Sequence, residues 1–407
     1  VHINFPFREP FYPEKDEEIK YDPSVKVIKT SASKFTLEDH DLEHLLTEWN
    51  HHKRKLIIGG QHLPDEKLND LLDGLSKQQK IPVIGDVISN LHGVTNIVAH
   101  PDVFLQSHKK DLLKSLQPDL VVSFGQSTIS KNLKLFLREY QPANHWHIQP
   151  ASDVADTFQS LTRVVHCDPE WFFEQLSSRD IKIDFDSQKQ ENYYQLWQIE
   201  ERRVIRLIEK FFPHKNWGEF EVVAKIINQL GDVHLHLANS MAVRYANLIG
   251  IKNDTVKVFA NRGTSGIDGS TSTAVGSSME SGKTTVLITG DMAFFYDRNA
   301  FWHNYTLDNL KIVVLNNHAG GIFRMINGPA DQPELEEYFE TKQPLTAAPL
   351  AKEFNISYLH CDQADDLDKA IQNFIKTSAP VILEVETDSK TNKEILANFK
   401  SQLDQID

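Results

Sequence analysis

GDMAFFYDRNAFWHNYTLDNLKIVVLNN, residues 290–317, is the stretch that decides the fold. TTVLITG (284–290) is a β-branched run closing in glycine, and KIVVLNN (311–317) is a second such run. Both predict buried strands. Between them AFFYDRNAFWHN spaces aromatic and apolar residues at helical intervals, so the unit is predicted as strand, helix, strand. Parallel strands joined by one crossover helix lie adjacent or nearly so, with their carboxyl ends on the same sheet edge. Ligands of open α/β folds sit at that edge. Asp291 and Asn317 therefore emerge close together, one offering a carboxylate and the other an amide carbonyl. Such oxygens, supplemented by phosphate oxygens, suit Mg²⁺, which seldom occupies an all-protein cage. Taken alone, Asp291 serves equally as a helix N-cap and Asn316-Asn317 as a turn.

The neighbouring segments narrow the choice. NRGTSGIDGSTSTAVG (261–276) follows the predicted strand KVFAN, is rich in glycine and hydroxyl residues, and leads into a helix start of small residues. Glycines permit positive φ and close backbone approach, and the N–H groups of such a loop can face an anion. Beyond the second strand, Ala319, Gly320 and Gly321 predict a tight turn before Ile322 and Phe323.

The combination of RGTSGIDG, GD followed by NN, and GGIF resembles the 2-succinyl-5-enolpyruvyl-6-hydroxy-3-cyclohexene-1-carboxylate synthases of menaquinone synthesis, the MenD family of thiamine diphosphate enzymes. The likeness runs from end to end and is strongest over residues 239–329; the opening VHINFPFREPFYP is similar to that family's passage from its first domain to its second. The resemblance implies a thiamine diphosphate-binding fold of two three-layer α/β/α domains with mainly parallel sheets. It implies thiamine diphosphate with Mg²⁺ or Mn²⁺ as cofactors. It also implies decarboxylation of 2-oxoglutarate and addition of the succinyl-semialdehyde carbanion to isochorismate.

Residue by residue, the resemblance makes Asp291 and Asn317 side-chain metal ligands and the Ala319 carbonyl a third, at a position where the family more often has glycine. Ser265, Gly266, Ile267, Gly290, Met292, Ala293 and Gly320 fall on cofactor-binding positions, Ile267 being the bulky residue that holds the cofactor bent. Ser240, Arg244, Arg262, Lys131, Ile322 and Phe323 fall on substrate-binding positions. Both substrates carry two carboxylates, and planar guanidinium groups suit such pairing better than lysine. At Asn132, beside Lys131, the family commonly has a second cation. Arg324 is expected either as a further anion contact or on the surface. No catalytic residue is assigned within the chain: the resemblance implies that the activating glutamate belongs to an N-terminal pyrimidine-binding domain, which a sequence opening at Val1 without methionine is expected to lack.

Length and composition agree with this organisation. The 407 residues, 40% apolar, suffice for two cores. The expected divisions are a tail over 1–20, a central Rossmann-like domain over 21–175, a linker over 176–199 and a diphosphate- and metal-binding domain over 200–407. KLIIGGQ, PVIGDV and DLVVSFGQ predict strands of the central domain; no complete GxGxxG appears, so it is assigned no cofactor. A net charge of −14 without a basic stripe excludes a nucleic-acid surface, and no run reaches transmembrane length. Cys167 and Cys361 are isolated, which excludes a CxxC zinc site and is compatible with the cytoplasm. His234 with His236, and His145 with His147, lack nearby acidic or cysteine partners and are assigned structural or surface roles. Small-molecule substrates and a homo-oligomer, a dimer or tetramer, complete the expectation. Two alternatives stay open: another thiamine diphosphate 2-oxoacid decarboxylase or acetohydroxyacid synthase, and a non-catalytic diphosphate-binding module.

Overall fold

The computed structural model describes residues 35–178, 187–212 and 217–403, with scattered positions before residue 35. The expected tail over 1–20 lies largely outside the described residues, as does 179–186 of the expected linker. Val1–Lys34 and Phe35–Asp407 are separate compact units.

Within Phe35–Asp407, short apolar runs form two sheets. β1 (Lys55–Gly59), β2 (Val83–Gly85), β3 (Leu120–Phe124), β4 (Asn144–Ile148) and β5 (Arg163–Val165) lie in the order β2-β1-β3-β4-β5. β6 (His234–Leu237), β7 (Lys257–Phe259), β8 (Thr285–Gly290), β9 (Leu310–Asn316), β10 (Ser357–Cys361) and β11 (Val381–Glu386) form the second sheet, β10-β11-β9-β8-β6-β7. Every pairing in both is parallel. The two α/β domains with parallel sheets expected from the sequence are therefore present. Successive residues of a strand point to opposite faces, and both faces of the second sheet are buried. Val286, Ile288, Val313 and Leu315 enter one core cluster, whereas Leu287, Ile312 and Val314 enter another.

The unit that decided the fold forms with its strands in register, Thr285 opposite Leu310 and Gly290 opposite Leu315. Its helix is shorter than expected. Asp291–Tyr296 is α-helical, and a 3₁₀ turn over Arg298–Phe301 follows. Between them Asp297 is buried and accepts the Ser272 N–H and Oγ–H, at 2.7 and 2.6 Å.

One apolar core is shared by the domains: Leu56, Ile58 and Val121 of the first sheet belong to the same cluster as Leu235, Val286 and Val313 of the second. The helix Ser187–Phe211 runs through it, burying Trp197, Val204, Leu207 and Phe211. The boundary expected at 199/200 falls inside this helix. Its Gln190 and Gln198 side chains donate to the backbone carbonyls of Lys80 and Asn96, at 2.8 and 2.7 Å, tying it to the central domain.

The central domain also covers the outer edge of β7 and the residues after it. His92 Nε2 lies 2.8 Å from the Val256 carbonyl. Asn90 both accepts from the Val258 N–H (2.7 Å) and donates to its carbonyl (3.0 Å). Gln61 donates to the Ala260 carbonyl at 2.7 Å, and Ser127 Oγ to that of Arg262 at 3.3 Å. Contacts at every second residue are what the two-residue repeat of an extended strand presents on one edge, and an edge left unpaired is a liability that proteins cover. Here side chains of the neighbouring domain take the place of a seventh strand.

Candidate functional site

β6 is flanked by β7 on one side and β8 on the other, so the chain reverses direction across the sheet at this point. At such a switch point the loops leaving adjacent strands diverge and a crevice opens. A cavity of about 590 Å³ occupies it. Its walls come from the carboxyl ends of β6 (Asn239, Ser240), β7 (Arg262), β8 (Gly290, Asp291) and β9 (Asn317), closed by the segments 319–326 and 338–341. All sequence-predicted site residues line it except Lys131: Ser240, Arg244, Arg262, Ser265, Gly266, Ile267, Gly290, Asp291, Met292, Ala293, Asn317, Ala319, Gly320, Ile322 and Phe323. Lys131 instead opens the helix Lys131–Glu139 of the central domain, exposed beyond the Ser130 cap.

Asp291 begins the helix Asp291–Tyr296 and is 2% exposed. Burial pushes its carboxyl up to about 6, and no lysine or arginine pairs with it among the described residues. Gln343 Nε2 donates to its Oδ2 at 2.8 Å. The two asparagines of the NN pair have separate employment. Asn316 is fully buried, its amide donating to Glu384 (2.8 Å) and to the Leu345 carbonyl (3.0 Å). Asn317 faces the cavity: its Oδ1 accepts the Ala319 N–H at 3.0 Å and its Nδ2 donates to Glu219 at 2.5 Å. The turn after β9 packs closely at Gly321, where a Cβ would stand 3.0 Å from Asn317 Nδ2.

Asn239 holds the glycine loop from below. It donates to the carbonyls of Asn261 (2.6 Å) and Gly266 (2.7 Å), and its oxygen accepts Arg262 Nη1 at 2.6 Å. Ser265 takes φ +59° and Gly269 φ +75°, the left-handed conformations that fold the loop back toward the helix Ser270–Glu280. Arg262 is half-buried with its Nε unpartnered. Ser240, at φ +75° and ψ −127°, turns the chain sharply from β6 into the helix Met241–Ile249. Strain of this kind costs about 1–3 kcal/mol and clusters at functional sites. Arg244 sits one turn into that helix and donates to the Ser240 carbonyl at 2.5 Å.

Three residues at the site carry no signal in the sequence. Asn239, Glu219 and Gln343 come from separate elements, and a glutamate at a helix start reads simply as favourable to the helix dipole. Glu219 is 2% exposed; burial, with the nearby Asp291 carboxylate, pushes it up to about 8 against the stabilising Asn317 contact. Arg324 is neither an anion contact nor a surface residue. It is buried and forks onto Glu340 (2.8 and 2.5 Å) and Glu336 (3.1 Å), which fixes the wall segment 321–325 to 335–340.

The donor set fits a hard divalent cation bridging a diphosphate: one buried, unpaired carboxylate, one amide oxygen and one backbone carbonyl, leaving coordination positions for phosphate oxygens and water. Two arginines and an apolar wall of Ile267, Ile322 and Phe323 complete a pocket for an anionic organic molecule.

Comparison with known proteins agrees. Residues 28–236 match a family model described as the middle domain of thiamine pyrophosphate, and residues 240–385 match the C-terminal TPP-binding domain of thiamine pyrophosphate enzymes. The chain is 44% identical over 408 residues to a 2-succinyl-5-enolpyruvyl-6-hydroxy-3-cyclohexene-1-carboxylate synthase of Cytophaga hutchinsonii, covering 100% of this chain and 71% of that protein. It is 37% identical to the synthase of the same name from Flavobacterium johnsoniae (99% and 71% covered) and 32% to that of Porphyromonas gingivalis (98% and 69%).

Proposed function

Because the chain belongs to the 2-succinyl-5-enolpyruvyl-6-hydroxy-3-cyclohexene-1-carboxylate synthase family, thiamine diphosphate-dependent transferases of menaquinone biosynthesis, we propose that its cavity holds the diphosphate end of the cofactor and receives 2-oxoglutarate and isochorismate. The observation that carries this is the meeting of Asp291, Asn317 and Ala319 with Arg244 and Arg262 around one crevice. Asp291, Asn317 and the Ala319 carbonyl hold Mg²⁺ or Mn²⁺, and the loop around Ser265 and Gly266 faces the diphosphate. When bound, thiamine diphosphate supplies the electron sink for loss of CO₂ from a 2-oxoacid.

The chain's own part is placement and exclusion. Ile267 projects into the cavity as the support on which the cofactor bends. Arg262, its Nη1 fixed by Asn239, and Arg244, fixed by the Ser240 carbonyl, are anchored guanidinium groups for substrate carboxylates. Anchoring lowers the ordering cost of each contact and sets the reacting carbons in place. Ile322 and Phe323 keep water from the reacting carbon, where a stray proton would end the reaction before the second substrate adds. With Lys131 outside the lining, the arginines carry the substrate-charge role. Exposed Tyr296, Trp302 and Tyr305 between β8 and β9 support assembly into a homo-oligomer. Buried, unpaired Cys167 and Cys361, and the absence among the described residues of a helix able to cross a membrane, are compatible with the cytoplasm.

Calorimetric titration of thiamine diphosphate, with and without Mg²⁺, tests the proposal, with Asp291→Ala as the control. Binding that needs the metal and is lost in the variant supports it. Metal-independent binding, or none, overturns it, and formation of the named product from isochorismate separates this activity from that of other 2-oxoacid decarboxylases.

A further inference from the structure

We infer that Glu219 is a positioning residue for the cation site, holding the Asn317 amide so that its oxygen end is presented to the metal. This rests on the proposed role of Asn317 as a ligand. An asparagine amide has two ends of nearly equal size, and only the oxygen can ligate a cation; a neighbouring carboxyl oxygen that accepts from the nitrogen end selects between them. Glu219 Oε1 accepts Asn317 Nδ2 at 2.5 Å, inside the cavity lining. The partner residue Asn316 shows the alternative, its amide turned into the core and spent on Glu384 and Leu345. Ligand-orienting contacts of this kind tune metal sites throughout proteins.

The helix dipole favours a glutamate in this first turn, but it does not specify that the carboxyl should face Asn317. The backbone N–H of Glu219 is already satisfied by Asn392 Oδ1 at 3.0 Å, so its anchoring does not use the side chain. No lysine or arginine pairs with Glu219 among the described residues; its other polar neighbour is the Tyr245 hydroxyl. A carboxylate buried beside another, that of Asp291, is costly to the metal-free protein.

The test uses Mn²⁺ as probe, read by electron paramagnetic resonance in the presence of thiamine diphosphate, together with thermal melting of the metal-free chain. Glu219→Met fills the volume and removes the acceptor; Glu219→Gln keeps an acceptor but adds a donor. Positioning predicts that Mn²⁺ affinity falls about 10- to 100-fold in Glu219→Met and by less in Glu219→Gln, while the metal-free melting temperature of either stays level or rises. Affinity within about twofold of the parent in both variants, especially with lowered metal-free melting, overturns the inference and leaves Glu219 a structural residue. If the parent binds no Mn²⁺, it is the cofactor proposal that has failed, and the inference falls with it.

Discussion

The two sheets are built alike and their switch points differ. In the central domain β1 lies between β2 and β3, so its crevice belongs at the ends of β1 and β3. There the backbone draws together: Gly60 N–H donates to the Phe124 carbonyl (2.8 Å), Gln126 to that of Gln61 (2.9 Å), and Gln61 to that of Ser127 (2.9 Å), and the cavity left beside them is about 250 Å³. In the second sheet the corresponding loops stay apart and leave about 590 Å³ between them. Polar groups follow the same division. His145 and His147 at the central sheet's edge both hydrogen-bond the Ser123 hydroxyl, whereas Asp291 and Arg262 have capacity left over. Architecture supplies the crevice; groups left unsatisfied by the fold make it a site. The narrower switch point is not idle, because Gln61 and Ser127, at its rim, are two of the side chains that hold β7 and the start of the glycine loop.

The largest effect expected from breaking this contrast is at Gly60. A Cβ there would overlap the Gln126 carbonyl, and backbone has no rotamer by which to yield. Gly60→Ala should destabilise the chain by roughly 3 kcal/mol or more, seen in denaturant melts. Gly290→Ala, at the mouth of the open crevice with nothing within 4 Å, should cost less than about 1 kcal/mol of stability and weaken thiamine diphosphate binding instead. Equal destabilisation by the two would erase the distinction between a narrow and a wide switch point.

Arg262→Ala is the next largest. Loss of a charge-assisted contact costs about 1.5–3 kcal/mol, so the KM for an anionic substrate should rise roughly 10- to 100-fold with little change in melting temperature. Asn90→Ala reverses that pattern. It removes both bonds to Val258 and leaves a buried N–H and carbonyl unpaired, which should lower stability by about 2 kcal/mol. Hydrogen exchange should then quicken in residues 256–262 while distant strands stay protected; uniform acceleration would mean that the β7 edge is not held locally.

These residues also mark what the sequence reveals. β8, β9 and the approach of Asp291 to Asn317 were legible, because strand composition and the GD and NN punctuation are local signals and the geometry of a parallel crossover does the rest. Ile322 and Phe323 followed from the same stretch. Glu219, Asn239 and Gln343 were not, since each reaches the site from an element whose own pattern is satisfied without it: Glu219 lies 98 positions from Asn317 and Gln343 lies 52 from Asp291. Arg324 was misjudged for a related reason. Nothing in GGIFRM announces Glu340, so a buried ion pair and a free cation look the same in the sequence. Helix Ser187–Phe211 begins inside the stretch 176–199 that was expected as a linker, because its place in a core common to both domains depends on residues on either side of it.

The smallest effect sharpens the comparison from its narrower side. His145 is 2% exposed, held by Ser123 Oγ (2.7 Å) and Ser160 Oγ (2.9 Å). Burial pushes its imidazole down to about 4; Asp156 opposes the shift and His147 adds to it. The unfolded chain titrates near an ordinary value of about 6.5, so below that pH it takes up a proton that the folded protein refuses. The contribution is therefore nil above about pH 6.5 and increasingly destabilising as pH falls toward 4, by about 1.4 kcal/mol per unit. His145→Gln, which keeps hydrogen-bonding groups but cannot titrate, should melt below the parent at pH 8 by about 1 kcal/mol and close that gap by about pH 5.5. Asp86 and Asp291, whose carboxyls burial pushes up to about 6, act with the opposite sign in the same interval. The quantity to follow is thus the difference between variant and parent, in which those terms cancel. A difference that does not change between pH 8 and 5.5 would mean that His145 accepts its proton in the folded state, and that the central edge is less completely satisfied than its hydrogen bonds indicate.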